Sequence, residues 1–116
     1  MSTADVARKF TDALKAGKFD VAESFWSDDI VSIEAMDGPM KEMKGRAAVH
    51  GKGEWWNANH EIHKFESSEP YVNGDQFALR FSMDVTPKES GKRMQMDEVG
   101  LNTVRGGKIV EERIFY

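Results

Sequence analysis

The sequence predicts an α+β domain in which a bent antiparallel sheet wraps around helices. Apart from one strand, helical periodicity dominates residues 1–59, and strand periodicity dominates the rest of the chain. An Asn-Gly pair at 73–74 and a Gly-Gly pair at 106–107 separate later strands, as hairpin turns do. Helices followed by a meander of strands are typical of this fold class. At 116 residues, we expect one domain spanning 1–116.

The first half of the chain is predicted to contain three helices and one strand. Ser2 or Thr3 can cap a helix over 3–16, in which Val6 and Phe10 recur at helical spacing. Gly51 and Gly53 weaken the third helix by about 1 kcal/mol each relative to Ala, so packing must hold it. The other predicted elements are a short helix from near Asp20 to Asp28-Asp29, a strand over 31–36 whose apolar face is Val31, Ile33 and Ala35, and a helix from Gly45 to about Asn59.

The second half is predicted to be four strands, over 61–72, 75–87, 92–105 and 108–116. The strand 75–87 has the clearest pattern, because apolar residues from Phe77 to Val85 alternate with polar or small ones. In the strand 92–105 the apolar positions change from even to odd near Asp97-Glu98, which suggests a β-bulge.

Composition restricts the function classes. Sixteen Lys and Arg against twenty Asp and Glu give a net charge of −4, which argues against nucleic acid as a partner. The absence of cysteine excludes thiol catalysis and zinc–thiolate sites, and the three histidines lack metal-ligand spacing. No apolar run is long enough for a membrane span. We therefore expect no metal, no cofactor, no membrane partner and a cytoplasmic protein.

Two carboxylates are candidates for general acid–base catalysis. Glu112 shares a predicted face with Val110 and Ile114, and a carboxyl group on an apolar wall tends to have a raised pKa. Glu98 joins this wall if even positions of its strand face inward; a bulge would instead place Asp97, or neither carboxylate, there. The alternatives are that Glu112 pairs with Arg105 or Arg113 and that Glu98 is solvated.

His63 is the third candidate catalytic residue. It shares a predicted face with Phe65 and Tyr71, which places an imidazole among aromatic groups. The alternative is an ordinary, partly buried histidine.

Four local phrases carry a family resemblance. They are Phe10-x-x-Ala-Leu-x-Ala-Gly, the segment from Phe25 to Ile30 with its paired acids, Gly45-Arg-Ala-Ala-Val, and Val104-Arg-Gly-Gly-Lys-Ile-Val. Together with the order of elements, they resemble the nuclear transport factor 2-like superfamily, more narrowly SnoaL-like domains and more distantly the ketosteroid isomerases. The resemblance implies a cone-shaped fold, with a curved mixed or antiparallel sheet around three helices, an internal pocket and often a homodimer formed through the outer sheet face.

The resemblance can be tested against the isomerase reaction. Ketosteroid isomerases bind an oxyanion with a tyrosine and a protonated aspartic acid, and move the proton with an aspartate. The matching positions here are Phe10, Gly100 and Ala35, which carry none of these groups. Steroid isomerisation by that set of residues is therefore excluded.

The implied pocket leads to three hypotheses about function. The first is a SnoaL-like isomerase, cyclase or hydrolase that acts on a small hydrophobic molecule, with Glu112 or Glu98 as base and His63 or Tyr116 as partner. The second is a protein that binds such a molecule without catalysis. A dimerising module using Arg80, Ser82, Asp84, Thr86, Val99 and Leu101 is the third. The expected lining residues are Phe10, Leu14, Trp26, Ile33, Trp55, Leu79, Phe81, Met83, Met96, Asn102 and Tyr116.

Overall fold

A computed structural model describes all 116 residues as three helices and a seven-stranded sheet. The strand order is β2-β1-β7-β6-β5-β3, with β4 also beside β5, and only the β1–β7 pair is parallel. This confirms the predicted α+β class and mixed sheet. The elements are α1 (Thr3–Lys15), α2 (Phe19–Glu23), β1 (Trp26–Ile33), β2 (Glu42–Lys44), α3 (Arg46–Asn59), β3 (His60–Ser67), β4 (Tyr71–Asn73), β5 (Gln76–Pro87), β6 (Met94–Arg105) and β7 (Lys108–Phe115).

Helix α1 packs on the inner face of the sheet. Its N-terminus is closed by a capping box: the Asp5 amide donates to the Ser2 hydroxyl at 3.1 Å, and the Ser2 amide donates to the Asp5 carboxylate at 3.2 Å. The apolar side of the helix buries Val6 and Phe10, and the Phe10 ring meets Phe77 edge-on at 5.9 Å. This contact joins α1 to the centre of the sheet.

The inner sheet face is set by the alternation along β5. Phe77, Leu79 and Val85 have no exposed surface, as the sequence pattern predicts. Pairing between β5 and β6 is regular from Gln76–Thr103 to Val85–Met94, so the bulge predicted at Asp97-Glu98 is wrong. Even positions of β6 consequently face inward throughout.

The start of β1 differs from the prediction. Helix α2 ends at Glu23, and Trp26 already belongs to β1 rather than to a helix. Trp26 pairs with Ile109 of β7, and Val31 pairs with Glu111. Between these two pairs β1 advances by five residues, whereas β7 advances by only two. This irregularity leaves Asp28 and Asp29 exposed within the strand, where the sequence suggested a helix end.

The inward face of β1 is also the opposite of the predicted one. Ser32 has no exposed surface and lies beside Glu112 of β7. Because strand side chains alternate, Val31 and Ile33 point to the outer face. The strand ends at Ile33, and the short strand β2 that pairs with it was not predicted.

The predicted strand 61–72 is divided in two by residues 68–70. The register of β3 against β5 shifts between Ile62 and Lys64, so His63 occupies a bulge. Its Nε2 lies 2.8 Å from the Thr86 hydroxyl, and the side chain is exposed. His63 therefore does not share the inner face with Phe65, and its assignment to the inner wall was wrong.

No helix in the structure is both long enough and apolar enough to cross a lipid bilayer.

Truncating the core should be far more costly than truncating an exposed aromatic residue. Phe77→Ala removes a ring with no exposed surface, and we expect it to lower the free energy of unfolding by about 3–5 kcal/mol. Tyr71→Ala is the control, because 71% of Tyr71 is exposed, and it should cost about 0.5 kcal/mol or less. Urea denaturation measures both; equal losses would contradict the described core.

Candidate functional site

A cavity of about 1130 Å³ lies between α3 and the inner face of the sheet, bounded also by α1, α2 and the 34–41 loop. Its lining is mainly aromatic and aliphatic, with a group of charged side chains at one end. Nine of the residues singled out in the sequence line it, namely Phe10, Leu14, Trp26, Trp55, Met83, Met96, Glu98, Glu112 and Tyr116.

The other five predicted site residues do not line the cavity. Leu79 is fully buried in the core cluster, and Phe81 packs against that cluster while its ring stacks on Phe65 at 5.6 Å. Asn102 is buried opposite Glu112 but does not reach the cavity. Ile33 and His63 point to the outer side of the sheet, for the reasons given above.

Lys52 is a site residue that the sequence analysis missed. It projects from α3 across the cavity, and only 14% of its side chain is exposed. Its ammonium group donates to the Ser32 hydroxyl at 2.5 Å and to a Glu34 carboxylate oxygen at 2.8 Å. The sequence does contain an indication that Lys52 points inward. It lies on the same side of the helix as Val49 and Trp56, and both of these residues are apolar.

Glu112 is tied into the same group. Its Oε1 accepts a hydrogen bond of 2.6 Å from the Ser32 hydroxyl and lies 3.9 Å from the Lys52 ammonium. The suggested pairing with Arg105 or Arg113 is wrong, since Arg113 contacts Glu111 instead. Glu112 therefore serves as a counter-charge that helps to hold Lys52.

Glu98 differs from Glu112 in having no hydrogen-bond partner within the chain. It faces the cavity from β6, directly across from Phe81 of β5. Burial raises the pKa of Glu98 to about 7, helped by the negative charges of Glu34 and Glu112 and opposed by Lys52. A carboxyl group in this range can both give and take a proton at neutral pH.

Tyr116 completes this end of the cavity. Burial raises the pKa of its phenol, and the negative charge of Glu34 raises it further. The phenol therefore stays protonated as a hydrogen-bond donor at neutral pH.

A second polar group lies at the rim of the cavity. His50 Nδ1 is 2.6 Å from Glu23 Oε1, and His50 Nε2 is 3.1 Å from Glu54 Oε1. The hydrogen bond to Glu23 raises the pKa of His50, and this contact links α2 to α3. No group of three or more His, Asp or Glu side chains in the structure is arranged to hold a metal ion.

The family described as "SnoaL-like domain" matches residues 1–116. The chain belongs to this family. No protein of curated function matches the sequence.

Solved structures agree with the family assignment. A Mesorhizobium loti protein described as a "putative SnoaL-like polyketide cyclase [carbohydrate phosphatase]" is 53% identical, with both chains covered in full and a TM-score of 0.96. A nuclear transport factor 2-like protein from Burkholderia xenovorans is 20% identical, with 97% of this chain and 87% of that one covered and a TM-score of 0.77. A Catenulispora acidiphila protein with a ketosteroid isomerase-like fold, in complex with trimethylamine, is 17% identical, with 96% and 84% covered and a TM-score of 0.74. The last two show the fold alone.

The raised pKa of Glu98 predicts a pH-dependent stability. The folded state holds this proton more tightly than the unfolded chain, so the stabilisation is present below about pH 4.5 and is lost as pH rises towards 7. Between pH 5 and 8.5, the wild type should lose roughly 1–2 kcal/mol relative to Glu98→Gln, a figure discounted for partial solvent access.

Urea denaturation at both pH values measures this difference. Glu89→Gln is the control, because Glu89 is exposed in the β5–β6 loop and should show no pH-dependent difference from the wild type. If Glu98→Gln followed the wild-type curve at both pH values, the raised pKa would be wrong.

Proposed function

We propose that this SnoaL-like protein is an enzyme that transfers protons on a small, largely apolar molecule held in the cavity. Glu98 is the general acid–base residue. The observation that carries the proposal is its carboxyl group, which faces the cavity, lacks a partner within the chain and has a pKa of about 7. Such a group can serve isomerisation, cyclisation and hydrolytic chemistry alike.

Lys52 supplies the complementary charge. A protonated ammonium group has three N–H donors, and Ser32 and Glu34 accept two of them. The third is available to a substrate oxygen on which negative charge develops as Glu98 removes a proton. In this scheme Glu112 and Ser32 position Lys52, and the Tyr116 phenol is a further donor.

The family relationship supports this reading. The Mesorhizobium loti relative is described as a "putative SnoaL-like polyketide cyclase [carbohydrate phosphatase]", and a positioned acid–base group can serve a cyclisation that begins with removal of a proton. Cytoplasmic location remains part of the proposal on the sequence grounds given above.

The test uses 5-nitrobenzisoxazole, a small neutral molecule whose ring opens when a base removes one C–H proton. The wild type should accelerate this opening relative to acetate at equal concentration, with activity rising through an apparent pKa near 7. Glu98→Gln should lower the rate by about 100-fold or more, because a positioned base contributes at least this factor. Absorbance of the phenolate product measures it.

Two further variants sharpen the test. Lys52→Met should lower the rate by a smaller factor, whereas Glu89→Gln, far from the cavity, should leave it unchanged. Full activity in Glu98→Gln would contradict the assignment of Glu98 as the general acid–base residue. Binding of the probe with no acceleration would instead favour the alternative of a ligand-binding protein without catalysis.

We also propose that two copies associate through the outer face of the sheet. The apolar side chains of Val99, Leu101 and Phe115 lie on this face, with Val99 37% exposed and Phe115 47% exposed. Association would bury this surface and leave the cavity, on the inner face, free.

Analytical ultracentrifugation tests the association. The wild type should sediment at twice the mass of one chain, and Val99→Lys should shift it to the monomer by placing a charge in an apolar contact. Val72→Lys is the matched control, since Val72 is 44% exposed but lies opposite Phe77, on the inner side of the sheet. A monomeric wild type, or a dimer that tolerates Val99→Lys, would refute this interface.

A further inference from the structure

The cavity is unusually acidic for an apolar site. Seven carboxylates line it, against two lysines and one histidine. Part of this charge is compensated locally, since Lys41 pairs with Asp37 at 2.8 Å and Lys52 with Glu34 at 2.8 Å. Asp37 and Glu54 are exposed at the mouth of the cavity, with 94% and 71% of their side chains accessible, and Glu23 pairs with His50 at 2.6 Å. At the buried end, Glu34, Glu98 and Glu112 surround one cation, Lys52, so this end carries a net negative charge when Glu98 is ionised.

Glu98 is the carboxylate at the buried end that has no partner. It has no Lys, Arg or His nitrogen within 4 Å, whereas Glu112 accepts a hydrogen bond from Ser32 at 2.6 Å and lies 3.9 Å from the Lys52 ammonium. When Glu98 is ionised, its charge lies uncompensated beside an apolar wall, which costs free energy. A positive group on a ligand would compensate it.

Aromatic side chains line the same cavity. They are Phe19, Trp55 and Trp56 from the helices, Phe65 from β3, and Tyr116, which follows β7. Aromatic faces attract cations through their negative quadrupole, most strongly where water is excluded. Weakly hydrated ammonium groups that carry alkyl substituents gain from both the faces and the carboxylates.

We propose that the cavity selects hydrophobic ammonium compounds, with a tertiary or quaternary nitrogen, over neutral and anionic molecules of the same shape. This inference rests on the proposed function only in requiring that the cavity is the ligand site. The nitrogen would lie within reach of Glu98 and Glu112, and the apolar part of the molecule along the aromatic walls.

The selection would also affect the acid–base group. The charges facing Glu98 are Glu34, Glu112 and Lys52, with the neutral phenol of Tyr116 beside them. An additional positive charge among them favours the ionised carboxylate. A cationic ligand would therefore convert Glu98 to the form that accepts a proton.

The experiment compares three probes that share a benzyl group: benzyltrimethylammonium, its neutral carbon isostere neopentylbenzene, and benzylsulfonate. Binding is followed at pH 8 by shifts of the Met83 and Met96 methyl signals, which report occupation of the cavity. We expect the cation to bind at least 10-fold more tightly than neopentylbenzene, and benzylsulfonate to bind most weakly. At pH 5.5, where Glu98 is protonated, the preference for the cation should shrink.

Variants localise the preference. Glu98→Gln should reduce the ratio of cation to isostere affinity at pH 8 and remove most of its pH dependence, whereas Glu89→Gln should change neither. Equal affinities for the cation and neopentylbenzene, or an unchanged ratio in Glu98→Gln, would overturn the inference while leaving a functional apolar cavity. Failure of all three probes to bind would overturn it together with the ligand site on which the proposed function depends.

Discussion

The ion pair between Lys52 and Glu34 is the interaction on which the attachment of α3 and the charged end of the cavity depend. Helix α3 contains two glycines and buries only one residue, Val49, so neither helix propensity nor core packing holds it firmly. Lys52 reaches from this helix to the sheet, and the Ser32 hydroxyl joins the pair to Glu112. The same contacts that attach the helix therefore keep a cationic group inside an otherwise apolar cavity.

Burial, together with the like charges placed around that cation, explains the raised pKa of Glu98. Glu34 and Glu112 are each satisfied by Lys52 or Ser32, but Glu98 receives their repulsion without a hydrogen bond of its own. Ionisation of a carboxyl group in this position destabilises the folded protein, but the same raised pKa allows the group to exchange protons near neutral pH. Burial and local charges thus separate a carboxylate that is held in an ion-pair network, Glu112, from one whose pKa lies near neutrality, Glu98.

The sequence was sufficient for the fold because the periodicity of β5 and its turns reflects simple burial. It failed where local geometry breaks the period: the bulge at His63 reverses the face of that residue, and the irregular start of β1 turns Ser32 inward and Ile33 outward. Glu98 and Glu112 could be proposed because β6 keeps a period of two around Glu98, and β7 keeps it from Glu111 onward, beyond the irregularity at Val110. Lys52 could not, since a lone lysine on a helix is usually solvated and its partners come from distant strands.

Strand β6 carries apolar residues on both faces of the sheet. Met96 and Glu98 face the cavity, while Val99 and Leu101 face outward, which produced the apparent change of phase in the sequence. Gly100 lies between them on the inner face, where an added Cβ would come within 3.2 Å of the Phe81 ring. The space beside Gly100 on the inner face is thus filled by an aromatic ring from the neighbouring strand. Glu98, two residues earlier on the same strand and directly across from Phe81, is therefore the carboxylate that β6 presents to the cavity.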